Sequence, residues 1–366
     1  MNVLFIDLGR QHAPIKKELM QAFERVLDSN KFVLSDEVKK FEEEVAAYVG
    51  TKYAIGVSNC TNALLLSLRA LGISPGDEVI TTPFTFIATA EVIAIIGARP
   101  VFCDIEPDTF NIDPENVKTC MSSNTKAIMP VHLYGQSSDM DKIMKIAEQH
   151  QLKVIEDMAQ SLGAKYKGKM TGVFGDTACI SYYVTKNLSA LGDAGMILTN
   201  DQELDRKIRA YRVHGASKKY HHDFLGHNDR LDAMQAAFLR IKLKYYDAWN
   251  KKRREIGAKY DEGLKDIVAI PKIKDGNETI YHQYTIRSDK RDELRVFLKE
   301  KGIDTAIHYP MPLHLQPAFK YLDYEEGDFP ETERAAKEVL SLPIQQDLTD
   351  DEVTYVIETI RTFFNK

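Results

Sequence analysis

Between residues 55 and 200, short apolar runs alternate with helical patterns, and that alternation constrains the fold more than any other feature of the chain. Residues 78–82 (EVITT), 100–103 (PVFC), 126–131 (KAIMPV), 153–156 (KVIE) and 178–184 (ACISYYV) read as buried strands. Between them, residues 61–71 place Leu64, Leu65, Leu68 and Leu71 on one helical face, with Gly72 as a stop. Residues 139–150 form another amphipathic pattern, with Met140, Ile143, Ile146 and Ala147 facing inward. Strand–helix–strand repetition predicts an α/β fold, a mainly parallel sheet sandwiched by helices. Such sheets bind ligands at the carboxyl ends of their strands, so reactive residues just after an apolar run carry the most weight.

The remainder changes character. Residues 230–264 are one long charged helical stretch, broken once. A strand-like segment at 281–287, a helix at 292–301, a short strand at 305–308, a Pro-rich loop and two further helices follow. The last helix places Val353, Val356, Ile357, Ile360 and Phe364 at helical spacing. This predicts a smaller C-terminal α/β domain at 251–366 and a large domain at 1–250 that includes the N-terminal segment. The length of 366 residues suits two domains at roughly 150 residues each.

Charge and composition remove whole classes. Forty-eight Lys and Arg against 54 Asp and Glu leave a net charge of −6, without the basic footprint of a nucleic-acid partner. The most apolar segment, near Val92–Ile96, is too short to span a bilayer, so no membrane partner is expected. The N-terminus lacks a basic region followed by a long apolar stretch. Cys60, Cys103, Cys120 and Cys179 are far apart and read as reduced thiols, which places the chain in the cytoplasm.

Four features lie at strand ends or helix starts. Ser58-Asn59-Cys60-Thr61-Asn62 precedes the Leu-rich helix, where free amides and the helix dipole suit a phosphate or an ordinary N-cap. Asp157 closes an apolar run, placed either to fix a cation or ring nitrogen in a cleft or to cap the next helix. Lys186 follows the run that contains Ser181 and Tyr183, at the mouth of a buried strand where an amine can lose its proton. Gly192-Asp193-Ala194-Gly195 beyond it is a turn that permits close backbone approach. The fourth feature is the stiff loop His308-Tyr309-Pro310-Met311-Pro312-Leu313-His314. His221-His222, and His308 with His314, lack helix-face ligand spacing, so no metal is expected. Hydrolase, P-loop and dinucleotide-binding motifs do not occur. A phosphate cradle, a carboxylate for a ring nitrogen and a lysine amine at one sheet edge together fit pyridoxal 5'-phosphate.

The order of the motifs resembles the DegT/StrS-type nucleotide-sugar aminotransferases, pyridoxal-phosphate enzymes of the aspartate-aminotransferase-like fold type I. The resemblance runs through FIDLGRQ near the start, KFEEEVAAYVG at 40–50, PGDEVITTPFTFIATAEVI at 75–93 and TKAIMPVHLYGQSSDMD at 125–141. It continues through VIEDMAQSLGAKYKGK at 154–169, SYYVTKNLSALGDAGMILTND at 181–201, GHNDRLDAMQAA at 226–237 and HYPMPLHLQPAF at 308–319.

It implies that Lys186 holds the cofactor as a Schiff base and later moves protons. Asp157 pairs with the ring nitrogen, Gln160 bonds the ring hydroxyl and Phe86 stacks on the ring. The backbone at Cys60 and Thr61, with Ser181, holds the phosphate, and Asn228 reaches the phosphate in a neighbouring subunit, making a homodimer the minimal unit. Tyr183, Tyr220, His308 and Tyr309 stand where the family contacts the sugar or its diphosphate. The chain departs from common family residues at Ser35, Cys60 and Val184.

The implied reaction moves the amino group of L-glutamate to a nucleotide-linked keto-sugar, in amino-sugar biosynthesis for glycans such as lipopolysaccharide O-antigen. Lys219-Tyr220-His221-His222 before Gly226-His227-Asn228 resembles the subgroup acting at C3, on a dTDP-3-oxo-6-deoxyhexose or a UDP-3-oxo sugar acid; a 4-oxo sugar is the alternative. Relatives with His in place of the lysine are dehydratases, so a sugar dehydratase is one rival, and a non-catalytic sensor on the same fold is another.

Overall fold

A computed structural model describes residues 1–365. Seven strands form its main sheet: β1 (Tyr53–Val57), β2 (Glu78–Thr81), β3 (Arg99–Phe102), β4 (Thr125–Ile128), β5 (Lys153–Asp157), β6 (Thr177–Ser181) and β7 (Gly195–Thr199). Their order is β1-β7-β6-β5-β4-β2-β3. β7 runs antiparallel to both neighbours, and every other pairing is parallel. All strands but β7 therefore end on one edge.

Both faces are covered, as near-continuous apolar strands require. On one side lie α1 (Lys16–Ser29), α2 (Asp36–Val49) and, later in the chain, Ala233–Leu243; on the other lies α3 (Cys60–Ala70), with α4 (Ala88–Ile95) against it. The period-two alternation of a strand sorts the side chains: Met196 and Leu198 of β7 enter the first core, Ile197 the second. α5 (Met140–His150) covers β4 and β5 with the four inward residues its spacing predicts. Next along the chain come α6 (Gln202–Tyr211), α7 (the helix Ala233–Leu243) and α8 (Tyr246–Leu264), so the long charged stretch breaks at Lys244 and Tyr245. Among the described residues, no helix is long and apolar enough to cross a membrane.

A further core forms around β8 (Tyr284–Arg287), α9 (Arg291–Glu300), β9 (Val339–Leu342) and α11 (Asp350–Phe364), with α10 (Pro330–Glu338) leading into β9. α8 serves two interiors: Tyr246 belongs to the α1–α2 core, and Ile256, Tyr260 and Leu264 to this one. The N-terminal segment, assigned by sequence to the first 250 residues, begins in this later core. Val3 packs there, donating to the carbonyl of Gly302 (2.8 Å) and accepting from the amide of Asp304 (2.9 Å).

Several apolar runs yield shorter strands than their sequence predicts. The run at 126–131 is a strand only to Ile128, though Val131 still bridges Asp157, and that at 178–184 is a strand only to Ser181. The segment at 281–287 is a strand only from Tyr284, and 305–308 contributes one bridge, Ala306 to Ser341. β1, β7 and β9 were not anticipated.

A buried charge cluster locks β1 to the helices beside it. Glu42 on α2 accepts from the amide of Gly56 (2.8 Å), from Arg212 (2.6 Å) and from Arg209 (2.8 Å). Arg212 also donates to the carbonyl of Gly56 (2.8 Å). Removing the acid strands a buried guanidinium, so Glu42→Ala should lower the unfolding free energy by about 3–5 kcal/mol in urea denaturation.

Candidate active site

The site forms where β1, β5 and β6 end. Asp157 is the last residue of β5 and pairs in register with Cys179 of the parallel neighbour β6. Its buried carboxylate accepts from the Thr89 hydroxyl of α4 (2.7 Å) and from the amide of Ala159 (3.1 Å). No helix follows it, so it caps none; its carboxylate closes a local turn onto Ala159 instead. Burial raises its carboxyl above the ordinary range, opposed by those two hydrogen bonds and by the positive fields of Lys186 and His132.

Lys186 lies in the loop between β6 and β7. Burial makes its amine less basic, while Cys60 and Asp157 act the other way. The loop is pinned at alternate residues. The Asn187 amide group donates to Asn250 (3.1 Å) and to the carbonyl of Ile280 (3.2 Å). Lys242 of α7 donates to the carbonyl of Ser189 (2.7 Å), and Gln235, two turns earlier, accepts from the amide of Leu191 (2.8 Å). The flexible amine thus leaves from a fixed backbone.

Lys186, Ser181, Gln160 and His282 line one narrow cavity. Gln160 accepts from the amide of Tyr134 (2.8 Å) and donates to the Tyr309 hydroxyl (3.1 Å). The Tyr309 ring lies 6.5 Å from Phe86, whose own ring is 58% exposed at the rim. His308 bonds Ser341 (2.9 Å), and burial with the field of Lys186 lowers its pKa to about 4. The Ser181 hydroxyl accepts from the amide of Tyr183, whose side chain is exposed.

The start of α3 completes the arrangement. Asn59 caps the amide of Asn62 (2.9 Å) and leaves the amides of Cys60 and Thr61 outside that cap. The thiol of Cys60 is held protonated by burial and by Asp157. Gly195, at the start of β7, passes so close that a Cβ there would sit 2.4 Å from the Asn59 carbonyl carbon and 2.8 Å from the Cys60 nitrogen. The glycine-bearing turn read from the sequence is thus a close approach of two backbones.

The structure brings Cys60, Thr61, Asp157, Gln160, Ser181, Lys186, His308 and Tyr309 to this edge, with Phe86 at its rim. Asn228 and Tyr220 lie on the exposed surface, and among the described residues no hydrogen bond or ring contact joins them to the cluster. Thr89 and His282 were missed by sequence reasoning. His282 is buried beside Lys186, its Nδ1 3.2 Å from the Asn187 side-chain oxygen. A histidine inside the otherwise strand-like YHQYTIR was its one local signal.

A family model described as the DegT/DnrJ/EryC1/StrS aminotransferase family matches residues 13–361. The chain belongs to that family. It is 52% identical to a "Pleiotropic regulatory protein" of Geobacillus stearothermophilus over 100% of this chain and 99% of that one. It is 44% identical to the UDP-2-acetamido-2-deoxy-3-oxo-D-glucuronate aminotransferase of Pseudomonas aeruginosa, covering 93% of this chain and 94% of the relative. The crystal structure of S. venezuelae DesV in complex with a ketimine intermediate superposes with a TM-score of 0.98 at 40% identity, covering 100% and 99% of the two chains. The fold is that of the sugar aminotransferases, and the family's cofactor is pyridoxal phosphate. The residues at the sheet edge fit it: a buried carboxylate with room in its bonding, uncapped amides beside a glycine-lined approach, and an amine of lowered basicity.

His12, against Lys242 (2.9 Å), shares with His308 a pKa lowered to about 4. A histidine whose folded pKa lies below its unfolded value stabilises fully above pH ~6.5 and loses that contribution as the pH falls towards 4. For the well-buried His308 the loss should be about 2 kcal/mol between pH 7 and pH 5. His308→Gln should therefore lose about 2 kcal/mol less than wild type over that interval in urea unfolding.

Proposed function

We propose that the chain moves the amino group of L-glutamate to a nucleotide-linked 3-oxo sugar, releasing 2-oxoglutarate and the amino sugar. The observation that carries this reading is the juxtaposition of Asp157, at the end of β5, with Lys186, in the loop that follows the parallel neighbour β6 and lines a cavity with Gln160 and Ser181. Pyridoxal phosphate, when bound, supplies an aldehyde that exchanges the amino group and a ring that withdraws electrons from the substrate carbon.

The chain's residues divide the remaining work. Asp157 faces the ring nitrogen, and its Thr89 hydrogen bond favours the charged form against the cost of burial. The Cys60 and Thr61 amides, with the Ser181 hydroxyl, hold the phosphate at the start of α3. Gln160 takes the ring hydroxyl, and Phe86 covers the ring face. Lys186 carries protons to and from the substrate carbon; burial lowers its basicity and so eases release of the proton it moves. Tyr183, Tyr220, His308 and Tyr309 receive the sugar and its diphosphate.

A homodimer with shared sites accords with the exposed apolar stripe of Met20, Phe23 and Leu27 on α1 and with the exposed Phe32, Val33 and Leu34 after it. Asn228, outside the cluster of its own protomer, is then offered to the partner's cofactor phosphate. The 3-oxo position is supported by the Pseudomonas aeruginosa relative. Amino-sugar supply for surface glycans such as lipopolysaccharide O-antigen, in the cytoplasm, is the setting this chemistry suits. A sensing role is the second reading, favoured by the name of the Geobacillus stearothermophilus relative.

Purified protein loaded with pyridoxal phosphate should absorb near the visible edge, lose that band with L-glutamate and regain it with 2-oxoglutarate. A non-catalytic sensor would show no such band, and a band that does not respond to L-glutamate would favour the sugar dehydratase. Lys186→Ala should reduce turnover by at least about a hundredfold with the fold retained by circular dichroism; near-normal turnover in that variant would overturn the assignment.

A further inference from the structure

The extended segment 227–229 runs beside the start of α3 and is fastened along its length. The amide of His227 donates to the carbonyl of Tyr211 (2.8 Å), the amide of His214 to the carbonyl of His227 (2.8 Å), and the amide of Asp229 to the carbonyl of Arg212 (3.0 Å). Extended backbone sends alternate side chains to opposite sides. Burial follows that alternation: Asp229 is buried, His227 partly buried and Asn228 exposed.

On the inner side, one carboxylate oxygen of Asp229 accepts from the Asn62 amide group (2.7 Å) and from the Ser58 hydroxyl (3.4 Å). Asn62 also donates to Ser58 (2.9 Å), as does the amide group of Asn59 (3.3 Å). The Ser58 oxygen is thus occupied as an acceptor by two amides while its proton points to Asp229. The other carboxylate oxygen is buried without a hydrogen bond, 3.7 Å from Nδ1 of His227, whose Nε2 meets Arg69. A half-satisfied buried carboxylate is costly, and more so beside a helix start that would receive an anion. What it provides in return is the acceptor that closes the Ser58–Asn62 turn.

The geometry points to Asp229 as a positioning residue for the cofactor phosphate of its own protomer, acting through Ser58 and Asn62 on the first turn of α3. This rests on the reading above, in which the Cys60 and Thr61 amides hold the phosphate and Asn228 serves the partner. A single three-residue segment then supports two cofactor sites: Asp229 the near one, Asn228 the far one.

Titration of apo-protein with pyridoxal phosphate, followed by absorbance, tests this directly. Asp229→Ala should raise the dissociation constant about tenfold, while Asp229→Asn, which keeps an oxygen acceptor, should stay within about threefold of wild type. Circular dichroism and thermal unfolding of the apo forms establish that both variants fold. Wild-type affinity in Asp229→Ala overturns the proposal, as does a folded Asp229→Asn that binds as weakly as Asp229→Ala.

Mixed dimers purified through two different tags, one subunit carrying Asp229→Ala and the other Asn228→Ala, separate near from far action. If Asp229 acts within its own subunit, the Asn228→Ala subunit has its own Asp229 and a partner's intact Asn228. Half of the sites then bind at wild-type affinity. If Asp229 acts across the dimer, every site carries one defect and no wild-type fraction appears, which overturns the proposal. Wild-type affinity in the Asn228→Ala homodimer would refute the cross-subunit role of Asn228 alone, and the Asp229→Ala titration would still decide the proposal.

Discussion

Parallel pairing of β5 with β6 sets a carboxylate at the end of one strand and the start of the lysine loop at the end of the next, and the rest of the site is arranged around that adjacency. The two groups oppose each other electrostatically in a place from which water is largely excluded. Burial alone would neutralise both, making the acid harder to ionise and the amine easier to deprotonate. Each charge restores part of the other, and Thr89 adds a hydrogen bond on the side of the carboxylate. The balance depends on position, so the backbone carrying the lysine has to be held by something other than the lysine.

That support is polar, and it comes from helices packed beside the edge, one of which, α8, also lines the Lys186 cavity with Tyr246. α7 reaches the loop with Lys242 and Gln235, and α8 reaches it with Asn250. Lys242 is fully buried, and burial lowers its pKa to about 8. Its acceptors are a carbonyl, a hydroxyl and the neutral ring of His12, with no carboxylate among them. An apolar residue would avoid the desolvation penalty there, but it would leave the Ser189 carbonyl unpaired. The donor holds the loop in one place at an energetic cost borne by the rest of the fold.

Much of this was legible in the chain. Helical spacing located α3 and α5 to within a residue or two, and apolar runs located β2 to β6. Lys186 and Asp157 could be read because each follows such a run directly. The strands end earlier than their apolar runs, yet the chain just past them stays buried and tied to the sheet: the amide of Met129 donates to the carbonyl of Ile80 and that of Tyr182 to the carbonyl of Ala194. β7 was obscured by its own glycine, read as part of a turn although Gly195 begins a strand. The partners of the reactive groups left no trace, because they are remote in sequence. Thr89 bonds Asp157 across 68 positions, His282 bonds Asn187 across 95, and Asn62 bonds Asp229 across 167. Periodicity reports on neighbours along one element and carries no information about such pairs.

The placement of α8 has a consequence for how proteins of this shape can be recombined. One end of the helix closes the interior beneath the sheet and the other fills the interior around β8 and β9, while Val3 returns from the opposite terminus to that same second interior. A crossover point chosen at the middle of the helix would pair half of one lever with a foreign half. Chimeras between relatives should therefore exchange residues 246–264 whole, together with the first few residues of the chain, or both interiors inherit mismatched walls.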